Sequence, residues 1–195
     1  MLKTKVILSS VTNLSDARYA SGMGVDYIGF AINPASDQYV TAEEAKSIKD
    51  WLSGVSIIGD IGDALPEDMS DYASTYSQTN NISLVDKLDW PILKLEITIE
   101  NIADLTAILN ANTKSVNFFI LSVDAEQLSF LQPQLKDICS NYPIYISTKY
   151  DDQNLSFVLA EINPTGIVLY GSKEIKPGLS SYDGIADILE QLEED

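Results

Sequence analysis

Short apolar runs alternate with longer amphipathic segments along almost the whole chain. The apolar runs lie at residues 5–9, 26–32, 56–61, 82–85, 92–97, 116–121, 144–147 and 166–170. They show little alternation of polar and apolar positions, which predicts strands that are buried on both faces. Segments with helical spacing lie between most of them, at residues 16–21, 41–54, 66–77, 99–110, 124–139, 153–162 and 182–192. Strands that alternate with helices predict a parallel α/β domain.

The second apolar run is followed by clear signals for a turn and a new helix. Asn33-Pro34 ends the predicted strand, and a polar loop leads to Thr41. Thr41 and Glu44 have the spacing of a capping box, in which each side chain accepts a hydrogen bond from the backbone of the other residue. Any chemistry is expected on loops of this kind, such as residues 33–39, since they follow the carboxyl ends of parallel strands.

Eight strands alternating with mostly helical segments predict a compact α/β (β/α)8 TIM barrel, formed by residues 1–195 as one domain. Only residues 86–91 separate the predicted fourth and fifth strands, so the helix between them is reduced or missing, or the fourth strand is wrongly placed. The alternative fold is an open doubly wound sheet. No G-x-G-x-x-G segment follows any strand, and the strand count favours closure.

Composition narrows the range of functions. The formal net charge is −17, which disfavours nucleic acid and anionic membrane surfaces as partners. Histidine is absent, so the commonest general base and transition-metal ligand is missing. Catalysis would depend on carboxylates, lysines, tyrosines or hydroxyls, and we expect neither a metal nor another cofactor. The acidic pair Asp60 and Asp63 follows the third strand, where such a pair is usually solvated.

The one cysteine, Cys139, lies in a predicted helix and cannot form an internal disulfide. This composition fits a reducing compartment, so a cytoplasmic location is expected. We interpret Cys139 as a packed side chain and not as a nucleophile.

Several stretches resemble phosphoribosylanthranilate isomerases, which are (β/α)8 enzymes of tryptophan biosynthesis. Residues 8–17, LSSVTNLSDA, fill the frame of the family's KICGITN segment and the acidic helix start after it. Residues 24–40, GVDYIGFAINPASDQYV, resemble GAD-x-x-GF-x-F followed by PKSPRYV. Residues 166–178 resemble G-x-D-x-S-S-G-V-E-x-x-PG.

The reaction that this resemblance implies is an Amadori rearrangement of N-(5'-phosphoribosyl)anthranilate. In the family a cysteine that ends strand one and an aspartate that ends strand six transfer the protons. These positions are held here by Ser9 and Ser122. A serine hydroxyl is much less acidic than a thiol and needs a partner base, so both positions are expected to be inactive. Asp124, two residues further on, would replace the aspartate only if its loop were repositioned.

Other positions depart from the family pattern within the same site. The family's anthranilate-binding arginine is Gln38, its QLHG stretch is matched to residues 83–86, and its paired glycines after strand seven are Thr148 and Lys149. The last loop reads Gly171, Ser172, Lys173. These two loops form the phosphate site of many such barrels, so we expect Thr148, Lys149, Gly171, Ser172 and Lys173 to bind an anionic or phosphorylated small molecule.

Three functions remain open at this point. The chain is a non-catalytic isomerase homologue that binds a metabolite or a protein partner, an isomerase with a rearranged pair such as Asp124 and Asp60, or a barrel enzyme for another phosphorylated sugar. We favour the first because the two proton-transfer positions are both replaced. Whether the protein is an enzyme is therefore left uncertain by its sequence.

Overall fold

A computed structural model of the chain shows eight parallel strands closed into a barrel, in chain order. It describes residues 1–67, 69, 72, 74–172, 174–176, 179–180 and 183–194. The barrel strands are β1 (Lys5–Ser9), β2 (Tyr27–Ala31), β3 (Ser56–Gly62), β4 (Tyr76–Thr79), β5 (Pro91–Ile97), β6 (Phe118–Val123), β7 (Ile144–Ser147) and β8 (Gly166–Tyr170). This confirms the predicted (β/α)8 fold.

Helices lie outside the strands. They are α1 (Leu14–Met23), α2 (Ala42–Lys49), α3 (Ile102–Asn112), α4 (Leu128–Asn141), α5 (Asp152–Phe157) and α6 (Asp183–Gln191). Val158–Ile162 extends α5 as a π-helical turn, and 3-10 turns occupy Ile82–Lys87 and Ala125–Gln127. After β8 the chain forms a small antiparallel pair, β9 (Glu174–Lys176) with β10 (Leu179–Ser180). No helix in the described part of the chain is long and apolar enough to cross a bilayer.

Local capping signals fix the ends of the first two helices. The Asn13 side chain accepts a hydrogen bond from the backbone N–H of Asp16, and Gly24 ends α1 in the left-handed conformation at φ 83°. The capping box at the start of α2 is formed by Thr41 and Glu44 as predicted. The predicted extension of this helix to residue 54 is wrong, because α2 ends at Lys49 and leaves Trp51 66% exposed.

The fourth strand was wrongly placed by the sequence analysis. Residues 82–85, predicted as a strand, belong to the 3-10 turn Ile82–Lys87, and β4 is Tyr76–Thr79. The sequence pattern predicts a helix over residues 66–77, because Tyr72 and Tyr76 are four positions apart, and it places Tyr76 and Ser77 at the end of that helix. Asn81 caps the 3-10 turn by accepting from the backbone N–H of Ser83, so a polar turn replaces the expected helix before β5. The predicted reduction of this helix is confirmed.

Two hydrophobic layers fill the fold. One lies between the strands and the surrounding helices and includes Leu8, Phe119, Leu121 and Leu135. The other fills the barrel interior and comprises Ile7, Ile58, Ile92, Phe118, Ile120, Tyr145 and Val168, with Tyr27 and Tyr76 packed against it. Interior aromatic rings pack at an angle, with the Phe118 and Tyr145 centroids 4.6 Å apart.

Closure of the barrel depends on a close approach between β1 and β8. Five residue pairs join these strands, from Lys5 with Gly166 to Ser9 with Tyr170. A Cβ atom at Gly166 would lie 2.5 Å from the carbonyl oxygen of Lys5 and 2.5 Å from the Tyr145 ring. Only glycine lets the backbone and the ring pack this closely.

We therefore expect Gly166→Ala to lower the free energy of unfolding by about 2–3 kcal/mol, as overpacking of an interior does. Gly22→Ala is the matched control, because a Cβ atom there, in the last turn of α1, meets nothing within 4 Å. That variant should keep its stability or gain at most about 0.5 kcal/mol. Urea unfolding of both variants tests the prediction, and equal stabilities would contradict it.

Candidate functional site

The carboxyl end of the barrel is lined by polar side chains. Successive residues of a strand point to opposite faces, so a residue two positions after an interior hydrophobic residue also faces the interior. Counting forward from the interior cluster identifies these positions on seven strands: Ser9, Asp60, Gln78, Lys94, Ser122, Ser147 and Tyr170. We call this set the mouth ring. Catalytic groups of such barrels lie at this end of the strands.

Ser9 and Ser122 lie at the ends of β1 and β6, where the resemblance places the isomerase pair. Ser9 is 4% exposed and Ser122 is half-buried. Neither hydroxyl is hydrogen-bonded to a carboxylate or a lysine within the described residues, although Glu96 on β5 is the in-register neighbour of Ser122. A Cβ atom on Gly29 would lie 3.4 Å from the Ser9 oxygen, so β2 packs directly against this side chain. Neither serine is therefore hydrogen-bonded to a base that would activate it.

Asp124 and Gln38 lie away from the mouth ring. The Asp124 carboxylate accepts from the backbone N–H of Glu126 at 3.0 Å and caps the 3-10 turn before α4. It is exposed, and this capping role fixes its loop in place. Gln38 lies in the loop between β2 and α2, where its backbone N–H donates to the Ser36 hydroxyl. The structure therefore does not bring Asp124 and Asp60 together as a pair.

Asp60 is the carboxylate of the mouth ring. Its two oxygens accept hydrogen bonds from the backbone N–H of Gly62 at 3.0 Å and from the Gln78 amide at 2.7 Å. Burial raises the pKa of Asp60, and the Gly62 hydrogen bond and the charge of Lys94 oppose this shift. Asp60 is therefore a partly buried acid whose proton is held more tightly than that of a solvated aspartate.

Lys94 crosses the mouth from β5 to β8. Its ammonium nitrogen lies 3.2 Å from the Tyr170 hydroxyl and 5.5 Å from the centre of that ring. The Tyr170 hydroxyl is also 2.8 Å from the Ser147 hydroxyl. The strands β3, β5, β7 and β8 thus contribute Asp60, Lys94, Ser147 and Tyr170 to one polar cluster.

Two cavities open at this end of the barrel, one on each side of the contact between Lys94 and Tyr170. The first, which we call the β5 cavity, has a volume of about 380 Å³ and is lined by Asp60, Gly62, Asn80, Lys94, Leu95 and Glu96. The second, the β8 cavity, has a volume of about 260 Å³ and is lined in part by Thr148, Lys149, Tyr170, Ser172 and Gly184. A larger cavity of about 690 Å³ lies at the opposite end of the barrel, near residues 1–5. Catalytic groups are not expected at that end in this fold.

The loop after β8 is held by an internal carboxylate. Asp16 is 1% exposed, and its Oδ2 atom accepts from both the backbone N–H and the hydroxyl of Ser172, each at 2.7 Å. Gly171 donates its N–H to the Ser9 carbonyl at 2.8 Å. The two donors of Ser172 that would face a phosphate are therefore committed to Asp16.

The loop after β7 keeps polar groups that face the β8 cavity. The Thr148 hydroxyl is buried and has no hydrogen-bond partner among the described residues. Lys149 is exposed beside it, and its carbonyl accepts from the Asn154 side chain at 2.8 Å. Gly184, in the first turn of α6, lines the same cavity. Lys173, predicted as a ligand residue, lies outside the described residues.

Sequence reasoning missed Lys94, Gln78, Ser147 and Tyr170. A signal existed for Lys94, because a lysine two positions after Ile92 in a strand buried on both faces must reach one end of the barrel. The family pattern for residues 166–178 has serine where this chain has Tyr170. Gln78 was missed because the fourth strand was misplaced. The segment at the end of β4 is Gln78-Thr79-Asn80-Asn81, and this segment is the one to compare with the family's QLHG stretch.

The described residues contain no cluster of three or more carboxylate or thiol side chains that could hold a metal ion. Burial raises the pKa of the Cys139 thiol to about 12. Thiolate formation near neutral pH is therefore strongly disfavoured, in agreement with the interpretation of Cys139 as a packed side chain.

Comparisons with known proteins bear out the resemblance. The chain is 22% identical over 199 residues to N-(5'-phosphoribosyl)anthranilate isomerase from Sulfurihydrogenibium sp., covering 95% of this chain and 97% of that protein. The crystal structure of phosphoribosyl anthranilate isomerase from Thermotoga maritima matches with a TM-score of 0.75 at 19% identity, over 97% of this chain and 98% of that one. No protein-family model matches the chain.

A further isomerase structure matches with a TM-score of 0.72 at 20% identity, over 96% of this chain and 97% of that one. That enzyme is in complex with reduced 1-(o-carboxyphenylamino)-1-deoxyribulose 5-phosphate. At these identities the structural likeness establishes the fold alone.

Asp60 should give folding stability a measurable pH dependence. Its pKa in the folded chain is raised above the ordinary value of 3.8, so the folded state binds more protons than the unfolded state just above that pH. The contribution of Asp60 to stability is present below its unfolded pKa and is lost as pH rises through its folded pKa. We expect Asp60→Asn to become progressively more stable relative to the unmodified protein as pH rises from about 4 towards neutrality.

Urea unfolding at several pH values measures this difference. Asp124→Asn is the matched control, since that carboxylate is exposed at a helix start. A difference for Asp60→Asn that stays constant across the range would contradict the prediction.

Proposed function

We propose that the chain is a phosphoribosylanthranilate isomerase-like barrel that binds a phosphorylated small molecule at its carboxyl end without the isomerase chemistry of that family. It would then act as a binding or regulatory homologue. The fold and the similarity along the full chain support the isomerase-like part of this proposal. The residues at the mouth support the loss of the family's reaction.

The observation that carries the proposal is the presence of serines, Ser9 and Ser122, at the two strand ends where the resemblance places the proton-transfer residues. An Amadori rearrangement needs an acid for the ring oxygen and a base for the adjacent carbon. Neither serine hydroxyl is hydrogen-bonded to a carboxylate or a lysine within the described residues, although Glu96 on β5 is the in-register neighbour of Ser122. An unassisted serine hydroxyl is neither a useful acid nor a useful base near neutral pH. Tyr170 and Lys94 also meet across the mouth, which leaves less open space there.

The phosphate would bind in the β8 cavity. This cavity lies beside the loops after β7 and β8 and the start of α6, which is the usual phosphate position in such barrels. The unpartnered Thr148 hydroxyl and the Lys149 ammonium would donate to it, whereas Ser172 is occupied by Asp16. A related isomerase binds a deoxyribulose 5-phosphate derivative, which supports a ligand of this class.

A second candidate is an active enzyme that uses Asp60. This carboxyl is partly buried in the mouth ring and has a raised pKa, as general acids and bases often do. The capping role of Asp124 at the 3-10 turn disfavours the pair with Asp60 that the sequence suggested. The first test below separates the two candidates.

Isomerase activity, followed by loss of substrate fluorescence, tests the absence of the family's chemistry. We expect no turnover above buffer by the unmodified protein and measurable turnover by the Ser9→Cys/Ser122→Asp double variant, which restores a thiol and a carboxylate. Ser9→Ala/Ser122→Ala controls for changes in packing and should stay inactive. Turnover by the unmodified protein that disappears in Asp60→Asn would contradict the proposal and favour the second candidate.

Binding of the reduced deoxyribulose 5-phosphate derivative, measured by calorimetry, tests the phosphate site. We expect Lys149→Ala to weaken binding about tenfold, or roughly 1.4 kcal/mol, because a charge-assisted hydrogen bond is lost. Lys136→Ala removes an exposed lysine on α4 and should leave the affinity unchanged. Equal affinities of the two variants would contradict the assignment of Lys149.

A further inference from the structure

Lys94 is a partly buried cation inside a strongly acidic protein. It projects from β5 two residues after the interior residue Ile92, and it lines the β5 cavity. Within the described residues it makes no ion pair, and it contacts the hydroxyl and the ring of Tyr170. An amine that faces a cavity and is held by a phenol on the opposite side of the barrel is positioned to meet a ligand.

The groups around Lys94 can carry protons to and from it. The Tyr170 hydroxyl lies 3.2 Å from the Lys94 amine nitrogen and 2.8 Å from the Ser147 hydroxyl. Asp60 lines the same cavity and senses the charge of Lys94, which lowers its pKa against the effect of burial. Asp60 is itself fixed by Gln78 and Gly62, so its orientation is set before a ligand enters.

The charges of the β5 cavity select the kind of ligand. Asp60 and Glu96 oppose the single ammonium of Lys94, and Asn80 adds an amide. With two carboxylates and one ammonium, the cavity repels an anion such as phosphate. Its carboxylate and amide oxygens can instead accept hydrogen bonds from the hydroxyl groups of a ligand. A volume of about 380 Å³ suits a small molecule of a few carbon atoms.

We propose that Lys94 forms an imine with the carbonyl carbon of a small, uncharged hydroxyaldehyde or hydroxyketone bound in the β5 cavity. This activity is separate from the proposed phosphate site, because it uses the cavity on the other side of Tyr170. Lysine amines serve as nucleophiles towards carbonyl compounds in this way.

The step balances without a further reactant. Asp60 takes one proton from the Lys94 ammonium by way of a solvent water in the β5 cavity, since the two groups are not in direct contact. The free amine then attacks the carbonyl carbon while the carbonyl π electrons move to oxygen. A proton moves from nitrogen to that oxygen, with the Tyr170 hydroxyl as the relay, which gives a carbinolamine. Asp60 returns its proton to the carbinolamine hydroxyl, water leaves, and the nitrogen lone pair forms the protonated imine. The net change is ammonium plus carbonyl compound to iminium plus water.

Reductive trapping tests this proposal on the intact protein. Glycolaldehyde or dihydroxyacetone is added with cyanoborohydride for a short time, and the labelled lysines are identified by peptide mass spectrometry. We expect Lys94 to be labelled about tenfold faster than Lys136, which is exposed on α4 and reports ordinary amine reactivity. Labelling of Lys94 no faster than that of Lys136 would overturn the proposal.

Two variants separate the mechanism from simple accessibility. Tyr170→Phe keeps the ring but removes the hydroxyl, and it should slow labelling of Lys94 about tenfold while Lys136 is unaffected. Asp60→Asn should slow it in the same way. Circular dichroism and thermal unfolding check that each variant is folded, and unchanged labelling of Lys94 in both folded variants would also contradict the proposal.

The result of the trapping experiment does not depend on whether the phosphate-binding proposal is correct. Loss of phosphate binding in Lys149→Ala with no imine at Lys94 would leave the proposed function standing and remove the further activity. An imine at Lys94 without phosphate binding would support the further activity and contradict the proposed phosphate site.

Discussion

Pairing of β1 with β8 closes the barrel, and the arrangement of the mouth depends on it. The five pairs between these strands set the register in which Ser9 lies beside Tyr170. The backbone approach at Gly166 leaves no room for a side chain, which holds that register in place. Since side chains alternate strictly along each strand, a shift of one residue would turn Tyr170 and Ser9 out of the interior. The closed register is therefore what converts scattered polar residues into a mouth ring.

The mouth ring has a different chemistry from the one that the family resemblance suggests. The positions of the expected thiol and carboxylate carry serines, while a carboxylate and an ammonium appear on β3 and β5 as Asp60 and Lys94. Asp16 supplies an internal anion to the loop after β8, with two hydrogen bonds to Ser172. Both donors go to the Oδ2 atom of Asp16, so this contact orders the loop without a ligand. The Oδ1 atom is buried and has no hydrogen-bond partner among the described residues. What remains open to an anion is the neighbouring loop with Thr148 and Lys149.

The isomerase-like fold does not by itself carry the isomerase function. Barrels of this kind support many reactions because the strands are a rigid frame and the chemistry lies at their carboxyl ends. Here the frame matches solved isomerases along 97% of the chain at 19% identity, which leaves the mouth free to differ. The contact between Lys94 and Tyr170 divides that mouth into two cavities, a subdivision that would constrain any ligand large enough to span both sides.

The sequence by itself determined the alternating α/β pattern, the residue bounds of β1, β7 and β8, and the capping box at Thr41. It also placed serines at the two positions that the resemblance aligns with the isomerase pair. These features depend on residues a few positions apart, whose preferences are visible locally. Only the tertiary structure decided that β4 begins at Tyr76, since the short segment around it fits a helix and a buried strand equally well. It also decided the contacts of Lys94 with Tyr170 and of Asp16 with Ser172, which join residues 76 and 156 positions apart. No local pattern encodes such contacts, because they exist only once the barrel has closed.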